Sequence, residues 1–236
     1  MEKNPQQVRL NKALAEAGVA SRRKCDEIIF DGKVKINGET VLEPGRLVGE
    51  RDHIQVFGKK VNPFQKKLIF MFNKPKGYVC TANPLPTQKS VLSFFAHIKK
   101  RFFTVGRLDK DTSGLLLVTT DGDLAQKIIH PSSNIQKEYL AKTDKEITPD
   151  HLQEISKGVV IDRVLIKPVK VQKVRRGTVK VSVKEGKNRE VRLLLEKAGL
   201  EVLELKRIRI GGLHLGHLAE GAFKELSNNE IETLFS

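Results

Sequence analysis

The chain has 236 residues, enough for one large or two smaller domains, and 43 lysines and arginines against 28 acidic residues give a net charge of +15, a balance that attracts polyanions and points to nucleic acid as partner. No apolar run has the length of a membrane-spanning helix, and the first residues, MEKNPQQVRLNK, lack the apolar core of a signal peptide, so no membrane association and a cytoplasmic location are expected. Cys25 and Cys80 form no CxxC pair, which argues against a disulfide framework or a zinc site.

The first few residues read as a frayed terminus. Leu10, Ala13, Leu14 and Ala17 then recur at helical spacing up to Gly18. Ser21 can cap a second helix carrying Cys25, Ile28 and Ile29 on one face, with Gly32 as its stop. Asn37-Gly38 suits a tight hairpin between Lys33–Ile36 and Glu39–Leu42, and His53–Phe57 makes a third strand. The polar stretch Gly58–Lys67 reads as a linker, which sets expected boundaries of 8–58 for a small module, 59–67 for the linker and 68–236 for the main domain. Both parts are basic: residues 1–67 hold 14 basic and 9 acidic residues, and residues 68–236 hold 29 and 19.

From Leu68 an apolar run predicts a buried strand, broken at Pro75 and Gly77. A Pro-containing loop over 83–90 precedes a short helix, Val91–His97. Phe102–Asp109 is a strand or strand end, Leu115–Thr120 a fully apolar strand, and Asp123–Ile129 a helix stopped by Pro131. Glu138–Lys142 reads as strand, Pro149–Ser156 as helix, and Val159–Val183 as strands broken at Arg176-Gly177. Glu190–Ala198 is a helix, Val202–Ile210 a strand and Asn228–Phe235 a final helix. Strands joined by short turns, mixed irregularly with helices, predict an α+β fold with a mixed, largely antiparallel sheet. No dinucleotide or phosphate-loop glycine pattern occurs, so no nucleotide cofactor is expected.

Candidate chemistry is sparse. Ser113 lacks the first glycine of a GxSxG elbow and reads as a turn residue. His214 and His217 lie between glycines and make a weak metal pair. Asp121 and Asp123 are accounted for by turn and cap roles. Asp109, set between Arg107 and a polar turn, is either a solvated turn residue or a positioned reactive carboxylate.

The segment GRLDKDTSGLLLVTTDGD, residues 106–123, resembles the active-site motif of RNA pseudouridine synthases, in which the Asp of RLD is the nucleophile. Three further segments follow the family's pattern: Asn73–Gly77, Lys137-Glu138-Tyr139 and Glu185–Arg192. The first module resembles the S4 RNA-binding domain, through Arg9-Leu10, Ser21-Arg22-Arg23, Gly32-Lys33-Val34 and Ile36-Asn37-Gly38. Its Arg22, Arg23 and Lys24 on the first turn of a helix oppose the helix dipole, which favours an anionic partner over a merely solvated face.

The resemblance implies a bacterial enzyme of the subgroup that modifies ribosomal RNA, with no cofactor or metal, acting on rRNA or a pre-ribosomal particle, and a monomer is expected. Asp109 would be catalytic, by attack on C1′ or C6 or by proton abstraction. Arg107 would fill the gap left by a flipped base, Tyr139 would stack on the uracil, and Arg192 would pair with Asp109. Lys74, Lys187 and Arg189 would contact RNA. Leu193 departs from the pattern where many relatives carry a second basic residue, which removes one expected RNA contact. The 23S rRNA is preferred over the 16S, and a non-catalytic assembly factor with the same fold is the rival reading.

Overall fold

A computed structural model describes residues 7–236, so the terminus expected to fray lies largely outside the described residues. The chain divides into two units, the first comprising the residues up to Leu68 with Lys99–Arg101 and Thr120–Gly122, the second the remainder.

The first unit contains β1 (Val8–Arg9), α1 (Leu10–Glu16), α2 (Arg22–Phe30), β2 (Val34–Ile36), β3 (Glu39–Thr40), β4 (Leu47–Val48), β5 (Ile54–Val56) and β6 (Lys59–Val61). The Ser21 hydroxyl caps α2 by accepting from the Lys24 N–H at 3.2 Å. Leu10, Ala13 and Leu14 of α1 and Cys25, Ile28 and Ile29 of α2 pack against Val34, Ile36, Ile54 and Val56 of the sheet. At the β2–β3 turn both Asn37 and Gly38 have positive φ, as a two-residue hairpin requires.

The stretch Gly58–Lys67 is not linker throughout. Lys59–Val61 forms β6, antiparallel to β5, so the sheet runs β3-β2-β5-β6. The turn between them is Phe57-Gly58, again with both φ positive. A phenylalanine at that turn position hid the hairpin, because asparagine, aspartate or glycine is the usual occupant.

The second unit contains β7 (Ile69–Lys74), β8 (Tyr78–Val79), β9 (Lys89–Ser90), β10 (Phe103–Val105), β11 (Thr112–Thr119), α3 (Gly122–Ile129), β12 (Lys137–Thr143) and α4 (Pro149–Lys157). It continues with β13 (Val159–Ile161), β14 (Val164–Ile166), β15 (Lys170–Arg175), β16 (Thr178–Val183), α5 (Glu190–Lys197), β17 (Val202–Ile210), β18 (Leu213–His214), β19 (Phe223–Glu225) and α6 (Asn228–Thr233). The helix expected over Val91–His97 is a shorter 3-10 turn, Val91–Phe95, and the loop over 83–90 contributes β9, parallel to β8. Ser113 lies inside β11 and not in a turn.

The main sheet runs β15-β16-β12-β17-β11-β7-β19, with β10 paired to β11 and β18 to β17. Its pairings are antiparallel except β11 with β17, so the fold is the mixed, largely antiparallel α+β one. Every residue of β7 is buried, since both faces are covered. Phe70 and Phe72 pack into rings from Phe95, Phe102 and Phe223, while Ile69 and Met71 join Leu115, Leu117, Ala125 and Ile128 in a second cluster.

The parallel step is tight. Gly114, at φ +104, lies opposite Arg207, and a Cβ there would come within 2.2 Å of the Arg207 carbonyl oxygen. Gly114→Ala is therefore expected to cost about 2 kcal/mol or more, read as a thermal midpoint lowered by several degrees.

Candidate active site

Asp109 lies in the loop between β10 and β11, and this loop is anchored from two sides. On one side Lys74, at the end of β7, is completely buried. Its Nζ donates to the carbonyls of Pro75 (3.1 Å), Asp109 (3.0 Å), Lys110 (3.5 Å) and Thr112 (2.7 Å). Burial pushes its pKa below the ordinary lysine value, and the ring of carbonyl dipoles is what compensates a cation there. The Gly77 N–H donates to the Lys110 carbonyl at 2.7 Å, and the Leu108 N–H donates to Cys80 Sγ at 3.4 Å.

On the other side stands Arg192, on the first turn of α5 and only 6% exposed. Its Nη2 reaches the Asp111 carboxylate at 3.0 Å and the Asp111 carbonyl at 3.2 Å, while Nη1 donates to the Val202 carbonyl at 3.3 Å. Arg189 adds a second contact to Asp111 at 3.7 Å. The expected pairing of Arg192 with Asp109 thus falls two residues further along: the guanidinium clasps Asp111, leaving the Asp109 side chain to face a cleft.

That cleft has a volume of about 270 Å³ and is lined by Arg107, Leu108, Asp109, Lys137, Tyr139, the segment 185–191 and Arg207, among others. It lies just below the usual span for small-ligand pockets, roughly 300–1,000 Å³, a size for one base and not for an extended cofactor. Its carboxylates Asp109, Glu185 and Glu190 are outnumbered by Arg107, Lys137, Lys187, Arg189 and Arg207, a balance that suits an anionic ligand and disfavours a divalent cation.

The back wall depends on an irregularity between β12 and β17. Tyr139 is opposite Arg207 and Glu138 is opposite Arg209, so Ile208 is an extra residue. Without it Arg207 and Arg209 would share a face; the bulge turns them to opposite faces. Arg209 thereby meets buried Glu138 at 3.4 Å on one side. Against the desolvation that burial imposes, Arg209 and Lys180 hold Glu138 below its ordinary pKa. On the cleft side Arg207 is 4% exposed. Its Nε donates to the Leu115 carbonyl at 2.7 Å, Nη1 donates to the Tyr139 hydroxyl at 3.4 Å, and Nη2 has no hydrogen-bond partner among the described residues.

The third wall, 184–190, is shaped by half-buried Lys137 and buried Glu190. Lys137 Nζ donates to the carbonyls of Lys184 (2.8 Å) and Glu185 (2.9 Å). The Glu190 carboxylate accepts from the N–H groups of Gly186 (2.7 Å) and Lys187 (3.0 Å), and burial pushes its pKa up. Arg189, at φ +54, starts α5, and both it and Lys187 are exposed.

Of the residues selected from sequence, Asp109, Arg107, Tyr139, Lys187 and Arg189 line one cleft. Arg192 stands behind it, on Asp111. Lys74, read as an RNA contact, is corrected to an internal strut, because a fully buried amine spent on carbonyls has no access to phosphate. Arg22, Arg23 and Lys24 are exposed on α2 of the first unit, and Lys24 pairs with Glu27. Arg207 was missed. The available signal was strand alternation, which places it with buried Leu205 on the inward face of β17.

Two substitutions separate strut from contact. Lys74→Met is expected to lower the thermal midpoint by several degrees while leaving the salt dependence of RNA binding unchanged, since the loss is of internal hydrogen bonds to a charged group. Lys187→Ala is expected to leave the midpoint unchanged and to reduce the slope of log K against log salt by about 0.7–0.9.

Comparison with known proteins places the chain in a family. Residues 68–197 match the RNA pseudouridylate synthase family, and residues 8–54 match the S4 domain. The chain is 40% identical to ribosomal large subunit pseudouridine synthase B of Bacillus subtilis, over 96% of this chain and 95% of that protein. It is 42% identical to a putative chloroplastic ribosomal large subunit pseudouridine synthase, SVR1, of Arabidopsis thaliana, over 96% of this chain; the chain spans 60% of that protein's length. A crystal structure of a pseudouridylate synthase superposes with a TM-score of 0.69 at 28% identity, covering 96% of this chain and 99% of the other. The chain belongs to the RNA pseudouridylate synthase family and carries an S4 domain ahead of its synthase domain.

Proposed function

We propose that the protein isomerises a specific uridine of large-subunit (23S) ribosomal RNA, with Asp109 as nucleophile. The supporting observation is the gathering of Asp109, Tyr139 and Arg207 around one cleft of single-base size. The choice of large-subunit RNA rests on the Bacillus relative, which matches along nearly its whole length and is named for that subunit. A cytoplasmic monomer acting on rRNA or on an assembling particle fits this substrate.

The reaction breaks the C1′–N1 bond, turns the base and joins C1′ to C5; the proton displaced from C5 is balanced by one gained at N1. No atom is added, so a carboxylate, a stacking surface and charge stabilisation suffice. A duplex-stacked uridine is out of reach, so the base turns out into the cleft. Arg107, exposed at the rim, takes its place in the RNA. Tyr139 offers its ring to the uracil and is held in place by Arg207 and the strand beside it. With Arg192 committed to Asp111, Arg207 is the buried guanidinium on the cleft wall, placed to meet negative charge on the detached base. Lys187 and Arg189 at the mouth bind phosphate, as do Arg22, Arg23 and Lys24 of the S4 domain.

Asp109→Asn is expected to abolish conversion of a 23S transcript while RNA affinity stays within about twofold. Conversion by the variant at the wild-type rate, or wild-type conversion of a 16S transcript in preference to 23S, contradicts the reading. Arg207→Met is expected to lower the single-turnover rate at saturating RNA by about 10²-fold or more, with Kd changed little.

A further inference from the structure

The S4 unit bears a second feature suited to RNA, away from α2. Val34 and Ile36 of β2 and Ile54 and Val56 of β5 are buried in the core. The strand residues between them therefore point to the open face of the sheet. The register places Thr40, Lys35, Gln55 and Lys60 in one row across four strands, and all four are exposed. The segments Lys33–Lys35 and Gln55–Lys60 together hold four lysines and no carboxylate.

At the end of this face is the Phe57-Gly58 turn. Phe57 has φ +49, a conformation that a bulky residue adopts at a cost. Its N–H is fixed to the Lys33 carbonyl at 3.0 Å, yet the residue is 62% exposed, so burial does not offset the strain. The corresponding hairpin of the same sheet uses Asn37-Gly38, the unstrained solution. A strained aromatic held out at the edge of a lysine-rich sheet face has the composition of a single-strand binding surface, an aromatic for a base and cations for the backbone. Paired bases within an A-form helix present only their edges in the grooves, so the face of the ring calls for an unpaired base.

We propose that the open face of the S4 sheet is a second RNA-contact surface, on which Phe57 stacks an unpaired base while Lys33, Lys35 and Lys60 hold the flanking phosphates. The proposal rests on the RNA substrate reading above and assigns the S4 domain a contact besides α2.

The strain supplies the test. In the full-length protein, Phe57→Asn creates an Asn-Gly turn and is expected to keep or raise the thermal midpoint while weakening binding to a 23S transcript at least about fivefold. Phe57→Tyr is expected to bind as wild type. The double substitution Lys35→Gln, Lys60→Gln is expected to reduce the slope of log K against log salt by more than one unit. Single-turnover conversion at saturating RNA should be unchanged in all three variants. Phe57→Asn binding as tightly as wild type overturns the proposal, and so does a fall in its thermal midpoint, which would mark Phe57 as a packing residue. Failure of the catalytic reading shows instead in Asp109→Asn, whose readout is conversion and not affinity.

Discussion

Lys74 carries a positive charge into the interior and meets the cost of desolvation with backbone carbonyls, three of which belong to the segment 109–112. This arrangement fixes more than one strand end. Carbonyls turned inward toward the amine constrain the loop's backbone, and with Asp111 clasped by Arg192 the position of Asp109 between them is determined from both flanks. Removing the amine would leave several buried acceptors unpaired, a larger loss than that of an ordinary surface cation. The loop is therefore held by charge buried at its base, and the Asp109 carboxylate, the proposed nucleophile, is left facing the cleft.

The same economy appears across the cleft. Gly114 brings the backbone of β11 against that of β17, where a side chain would collide with the carbonyl of Arg207. Arg207 then reaches back to the Leu115 carbonyl at 2.7 Å. The extra residue Ile208 turns Arg209 to the other face, where it neutralises Glu138. A parallel step, a glycine and a bulge within a few residues thus place one desolvated guanidinium behind Tyr139. In the proposed reaction such preorganisation would supply electrostatic stabilisation, because the charge is in place before the bond breaks.

Much of this was legible in the sequence, and what was not has physical causes. Strand β17 was read to the residue, because apolar alternation and the preceding Gly199 mark it. The α+β class followed from irregular alternation of strands and helices. The hairpin at Phe57-Gly58 was read as linker because turn chemistry was sought in asparagine and glycine. Lys74 was assigned to RNA through the family-like segment 73–77, and only tertiary contacts with a loop 35 residues away reveal its carbonyl partners. Arg192 and Asp109 were paired on family pattern, whereas the pairing observed is with Asp111. Arg207 lies in the segment RIRIGG, residues 207–212, which by itself assigns it no role, and its placement depends on a bulge that is defined only once β12 is paired to β17.

The proposed activity has a single chemical outcome in the cell. A site-by-site map of pseudouridine in both ribosomal RNAs, from cells with and without the gene, tests it most directly. Loss of pseudouridine at a defined position of the large-subunit RNA, with the small-subunit map unchanged, is the result predicted. An unchanged map of both RNAs, or a loss confined to the small subunit, would contradict it.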